Sequence, residues 1–342
     1  MVSFNILGVI PCLGKETMRR RDFITLIGSA AAVSCLVPVV RAQEPGRIYR
    51  LSMIVGPPRQ AARIVAFFDE LKGLGFVEGH TLQIVSGGFG LREDQYTEVA
   101  ASVVKSAPDV IFCVDDRALR AIQEAIHTVP IVSMSADMAA ADFVRSLARP
   151  GGNTTGVSVL APELNGKRQE ILMEAVPGAR RIAILADPLI TEPAHLQALQ
   201  NAARARGVEV AVFTAGAPEQ IAPTMDKAKE WGATALNVLS APLFSINRRL
   251  VIERAAALGL PAIYEWAEMA DEGGLIAYGA RLTLIYGQLA RLIVKVLRGI
   301  KPEDLPVEQP TKFDLVVNLK TAKALGLAIP ESFLVRADEV IE

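Results

Sequence analysis

"YRLSMIVGPPRQAARIVAFFDELKGLGFVEGHTLQIVSG", residues 49–87, sets two short aliphatic runs on either side of a longer periodic segment. In that segment Ile64, Phe67, Phe68, Leu71 and Leu74 recur at spacings of three and four, which places them on one face of a helix. Gly75 then stops the helix, because glycine enters the left-handed conformation of a C-cap without a steric penalty. The flanking runs "YRLSMIV" and "TLQIVSG" are short and rich in aliphatic and β-branched residues, as strands of a sheet covered on both faces are.

The same rhythm continues outward. Further strands are expected at "DVIFCV", "PIVSMS", "TTGVSVL", "RRIAILA", "EVAVFTA", "ATALNVL", "PAIYEW" and "GLIAYG", with amphipathic helices such as "PEQIAPTMDKAKEWG" between them. Such alternation is the signature of an α/β fold with parallel sheets. Ten strands in one open sheet stand at the upper limit, and a Gly/Pro-rich break falls at "RPGGNTT", residues 149–155. Two doubly wound lobes of similar size are therefore expected. Both halves repeat a strand, a helix ending in a glycine turn ("LKGLGF", "ARARGV") and a second strand.

Ahead of the first strand, "MRRRDFITLIGSAAAVSCLVPVVRAQ", residues 18–43, has the three parts of an export signal: a cluster at Arg19, Arg20 and Arg21, an apolar run from Phe23, and a small-residue site ending at Ala42. The apolar run is near the lower limit for a spanning helix, about 17 residues, and Thr25, Gly28, Ser29 and Ser34 interrupt it. A core helix that starts basic is the bland alternative. The arginines followed by Asp22, Phe23 and Ile24 resemble a twin-arginine leader, cleaved after Ala42, so residues 1–42 are set apart as extension and signal peptide and the mature chain is expected in the periplasm. A rival reading takes "AVSC" as a lipoprotein box with Cys35 lipidated, although Ala32 fits its leading position poorly. Residues before Met18 add nothing to an export signal, so Met18 is a candidate start.

About 300 residues follow the leader, enough for two ordinary domains. With 36 basic and 37 acidic residues the formal net charge is −1, which offers no electrostatic reason to expect nucleic acid or an anionic membrane as a partner. Past the leader only Cys113 remains, so no internal disulfide can form and the thiol is expected in the core.

Two α/β lobes that face each other present the carboxyl ends of their strands to a shared cleft, where such folds bind small molecules. The residues expected there are Asp115, Asp116, Arg117, Ser135, Asp137, Ser158, Asp187, Ser240, Glu265 and Trp266. Asp115 and Asp116 have a competing role, one of them capping the helix "RALRAIQEAIHT" and the other lining the cleft. Trp266 is either a wall of the site or a core aromatic. Catalytic and cofactor motifs do not assemble. "GGFG" at residues 87–90 lacks the spacing of a dinucleotide loop, and "GVSVL" puts Leu160 where a nucleophile elbow requires glycine. His80, His127 and His195 sit in separate elements, each expected at the surface, so no metal site and no cofactor are expected.

The stretches "SLARPGGNTTGVSVLAPELNGKRQEIL", "EGGLIAYG" and above all "PEDLPVEQPTKFDLVVNLKTAKALGLAIPESFLVRADEVIE" resemble the substrate-binding proteins of bacterial ABC transporters, in the type I periplasmic-binding fold and the group that includes aromatic-amino-acid binders. The resemblance implies a receptor, expected as a monomer, that closes on a small-molecule solute and hands it to a membrane permease, with no catalytic residue and no cofactor. It also implies three crossings between lobes, expected near residues 153–158, 277–281 and 306–312. Residues 47–155 with 280–308 then form lobe 1, and 156–279 with 309–342 form lobe 2. Where members carry a Thr-Pro-Ala-like turn this chain has Asp115-Asp116-Arg117, for Gly-Asp-Pro it has Ala136-Asp137-Met138, and for an Asp it has Val159. Amino-acid specificity therefore does not carry over, and the carboxylates suggest a small polar solute with a positive or hydrogen-bond-donating group. Two rivals remain: an enzyme using Asp115, Asp116 and Asp187, and a sensory ligand-binding subunit.

Overall fold

The opening segment folds as its periodicity predicts. In the computed structural model, which describes residues 46–159 and 161–342, it forms β1 (Tyr49–Ile54), α1 (Ala62–Gly73) and β2 (Leu82–Gly88). Ile64, Phe67 and Leu71 are buried, while Phe68 and Leu74 pack at the margin of the core. Gly75 takes a φ of 93°, and the Phe76 N–H returns to Leu71 O at 2.9 Å, which closes the helix end. The expected leader, with its arginines and Cys35, lies outside the described residues.

The first sheet continues through α2 (Tyr96–Lys105), β3 (Val110–Cys113), α3 (Asp116–Ala125), β4 (Ile131–Ser135) and β5 (Thr154–Ser158). Its order is β2-β1-β3-β4-β5, every pair parallel. Next come α4 (Ala161–Ala175), β6 (Arg181–Ala186), α5 (Pro193–Arg204), β7 (Glu209–Thr214), α6 (Pro218–Glu230) and β8 (Ala235–Val238). The chain proceeds through α7 (Pro242–Ile246), α8 (Arg248–Ala257), β9 (Ala262–Tyr264), α9 (Ala267–Asp271) and β10 (Ile276–Gly279). It finishes with α10 (Leu282–Leu297), β11 (Asp314–Asn318), α11 (Leu319–Ala324), α12 (Glu331–Leu334) and β12 (Glu339–Ile341). The second sheet has the order β12-β11-β10-β9-β8-β6-β7. The molecule is thus an α/β protein of two lobes, each built on one of the two sheets.

Two features differ from the sequence reading. The second sheet gains β11 and β12 and holds seven strands against five in the first, so the sheets are unequal. It is also mixed: β10 and β11 are antiparallel, with Ile276 opposite Val317 and Gly279 opposite Asp314. The reason is the route of the chain. After β10 it crosses to the first lobe as α10 and comes back at the same sheet edge, so β11 must run in the opposite direction.

The crossings follow β5, follow β10 and precede β11. The expected division between residues 155 and 156 falls inside β5, which pairs with β4 up to Ser135 opposite Ser158. In α10, eleven of sixteen residues are buried. Its Tyr286 meets Phe112 of β3 edge-on at 6.0 Å, and Phe112 stacks on Phe67 of α1 at 4.5 Å. The returning segment runs beside β5: Ser158 N–H donates to Glu308 O, Glu308 N–H donates to Gly156 O, both at 2.9 Å, and Thr155 Oγ1 donates to Leu305 O at 2.8 Å. Arg281, just past β10, donates to Asp314 Oδ2 at 2.7 Å and ties the second crossing to the third. Cys113 is fully buried, its thiol donating to Ser133 Oγ at 3.4 Å.

Candidate functional site

In the first lobe the ends of β3, β4 and β5 bring Asp115, Asp116, Arg117, Ser135, Asp137 and Ser158 to one edge of the sheet. Asp115 is the N-cap of α3; its Oδ1 accepts from the N–H groups of Arg117 at 2.8 Å and Ala118 at 3.2 Å. Asp116, the first helical residue, is half-buried and feels the Ser135 hydroxyl at the end of β4. Burial pushes Asp116 up to about 6; the Ser135 hydroxyl and Arg120 oppose that rise, while the charges of Asp115 and Asp137 reinforce it. Ser135 is 4% exposed, and its Oγ lies close enough to the Asp116 carboxyl to oppose that rise but makes no hydrogen bond of normal geometry among the described residues. Arg117 is exposed on the first turn of α3. Asp137 Oδ1 accepts from Ala139 N–H at 3.1 Å and Ala140 N–H at 3.0 Å. The Met138 N–H donates to the fully buried Ser158 Oγ at 3.3 Å, so Ser158 braces that loop from below.

In the second lobe, β6, β8 and β9 deliver Asp187, Ser240, Glu265 and Trp266 to the corresponding edge. Asp187 is buried, with its Oδ1 accepting from Leu189 N–H at 2.9 Å. Glu265 is buried, and burial raises its proton affinity against the opposing pull of Arg168 and the Ser240 hydroxyl. Trp266 is 5% exposed and packs against the main hydrophobic core at the end of β9, and its ring N–H has no partner among the described residues. β10 approaches closely at this point: a Cβ on Gly279 would stand 1.8 Å from Glu265 O.

Sequence reasoning missed Arg168. This side chain is fully buried beneath the second-lobe edge, where Nη1 donates to Asn165 Oδ1 at 2.8 Å and to Ser240 Oγ at 2.7 Å, and Nε donates to Tyr278 O at 2.8 Å. It joins α4, β10 and the loop after β8, and burial lowers it to about 10. The available signal was spacing, since Asn165, Arg168 and Leu172 share the inward face of α4. His195 also departs from its expected surface position. It is half-buried and lies 3.3 Å from Asn165 Nδ2 through its Nε2. The Asn165 carbonyl oxygen already accepts from Arg168, so its amide donates outward and His195 Nε2 accepts, with the ring proton on Nδ1. Burial lowers the His195 proton affinity, which favours that neutral form.

A depression of about 810 Å³ lies among α1, α10, the residues just past β10 and residues 310–312, and none of the ten candidates lines it. Among the described residues no group of three or more His, Cys, Asp or Glu side chains is placed to hold a metal ion, and no helix is long and apolar enough to cross a membrane.

Residues 51–341 match the family model described as ABC transporter substrate binding protein. A tyrosine-binding protein of Clostridioides difficile (strain R20291) is 21% identical over 283 residues, covering 81% of this chain and 80% of that protein. Of solved structures, a conserved domain protein from Vibrio cholerae aligns with a TM-score of 0.75 at 25% identity, over 86% of this chain and 99% of the other. An ABC domain from Streptococcus pneumonia in complex with L-Trp aligns with a TM-score of 0.72 at 23% identity, over 86% and 100%.

Proposed function

Because the chain belongs to the family of ABC transporter substrate-binding proteins, we propose that it works outside the cytoplasm as a monomer, captures a small polar organic solute between its lobes and delivers it to a membrane permease. The observation that carries this reading is a pair of buried polar groups without partners at the cleft edges, Ser135 Oγ in one lobe and Trp266 Nε1 in the other. Buried polar groups are normally bonded, and orphans at a binding edge are groups that a ligand completes. The first-lobe contacts are Asp116, Arg117 and Ser135, and the second-lobe contacts are Asp187, Glu265 and Trp266. In this reading the solute is bound and released unchanged: of the three carboxylates an enzyme would draw on, Asp115 and Asp187 accept hydrogen bonds from backbone N–H groups of their own loops, and Asp116 serves as a ligand contact. The similar tyrosine-binding protein makes amino-acid-like solutes the first class to test.

The test uses protein recovered from the periplasmic fraction of an export-competent host, where its mass should correspond to a chain starting at Gln43. Thermal shift and calorimetry across amino acids, amines, sugars and organic acids should find saturable stabilisation with the solute recovered unchanged. Trp266→Ala should weaken binding of that solute at least tenfold while the protein stays folded. Turnover in the same mixtures would replace the receptor reading with an enzymatic one.

A further inference from the structure

Asp116 and Ser135 differ from the other acidic and hydroxyl candidates of the first lobe. Asp115 and Asp137 are bonded to backbone N–H groups, and so is Ser158. By capping α3, Asp115 takes up the N–H groups that make a helix start attractive to an anion. A solute carboxylate approaching there would face the carboxylates of Asp115, Asp116 and Asp137. Ser135, 4% exposed and unpartnered, holds its hydroxyl beside the Asp116 carboxyl at the end of the neighbouring strand. Arg120 is near enough to oppose the rise at Asp116 but donates to Ala141 O at 3.2 Å, so this carboxylate and the hydroxyl beside it still suit a donor that carries positive charge.

We propose that Asp116 and Ser135 form the first-lobe subsite for the cationic end of the solute, an ammonium, amidinium or guanidinium group. Asp116 supplies the counter-charge and Ser135 Oγ accepts a second hydrogen bond from the same group. This inference rests on the receptor reading and narrows its ligand class. The raised proton affinity of Asp116 is consistent with it, because a bound cation offsets the cost of keeping that carboxylate ionised.

The experiment screens matched probes by calorimetry at pH 7.5: L-tyrosine and L-tryptophan, the amines tyramine, tryptamine, putrescine and agmatine, the acids 4-hydroxyphenylpropionate and indole-3-propionate, and neutral sugars. Binding should be confined to probes with a cationic group. Asp116→Asn, which keeps the shape and the fold, should weaken the best probe at least tenfold, and Ser135→Ala should weaken it severalfold, with circular dichroism melting confirming folded protein. Binding of the acids or sugars with none of the cations would overturn the cationic subsite and leave the receptor reading standing. Wild-type affinity in Asp116→Asn would overturn the subsite as well. Failure of every probe counts against both.

Discussion

Asp115 and Asp116 are adjacent and chemically identical, and their backbone positions separate them. Asp115 has the extended dihedrals of an N-cap, φ −145° and ψ 139°, so its carboxyl folds back onto the helix start. Asp116, one residue inside the helix, points elsewhere and is left in a partly buried place near Ser135. That position has a consequence for stability. An unfolded aspartate titrates at about 4, whereas folded Asp116 titrates at about 6, so the folded chain holds more protons between those values. Stability therefore falls as pH rises through that window, and Asp115 and Glu265, both raised by burial, act in the same direction. Asp116→Asn without added solute should be more stable than wild type at pH 7.5 by on the order of 1 to 2 kcal/mol, with the gain shrinking toward pH 4. Urea denaturation at both pH values measures it. A pH-independent difference would show that Asp116 is already well solvated.

At the level of elements, the second-lobe edge is assembled by contacts between segments far apart in sequence. Arg168 on α4 reaches the loop after β8 and the backbone of β10, so Ser240 and Glu265 are set in place by a helix that precedes both by many residues. Loss of a buried charge of this kind typically costs about 3 to 5 kcal/mol, because its partner charge is left uncompensated. The close approach of β9 and β10 depends on Gly279, where an added methyl would collide with Glu265 O at 1.8 Å. Backbone cannot yield as a flexible side chain does, so Gly279→Ala should destabilise the fold by about 2 to 4 kcal/mol and weaken solute binding through displacement of Glu265. Chemical denaturation reports the first effect and calorimetry the second. Unchanged values for both would mean that the two strands separate freely at this point.

At the scale of the whole molecule, the three crossings are stitched to one another by the pairing of residue 308 with β5 and by the Arg281 bond to Asp314. That region is the expected pivot of the two lobes, and if a solute touches both edges it should favour the closed arrangement and shift the population toward it. Small-angle scattering should show the radius of gyration contracting as the solute saturates. Identical scattering curves with and without it would remove closure from the mechanism. The sequence by itself determined the alternation of strand and helix, the two lobes and the loops that meet at their edges. Those features follow from hydrophobic periodicity and glycine stops, as Ile64, Phe67, Leu71 and Gly75 illustrate, and such signals are local. Only the tertiary structure decided that β11 runs antiparallel, because the direction of a strand depends on where the chain re-enters the sheet. Only it decided which carboxylates are held by their own backbone and that Asp116 is not among them. It alone brought Arg168 beneath Ser240 and Glu265, since a buried charge is recognised by the partners that fold around it, and those come from elements the local pattern does not connect.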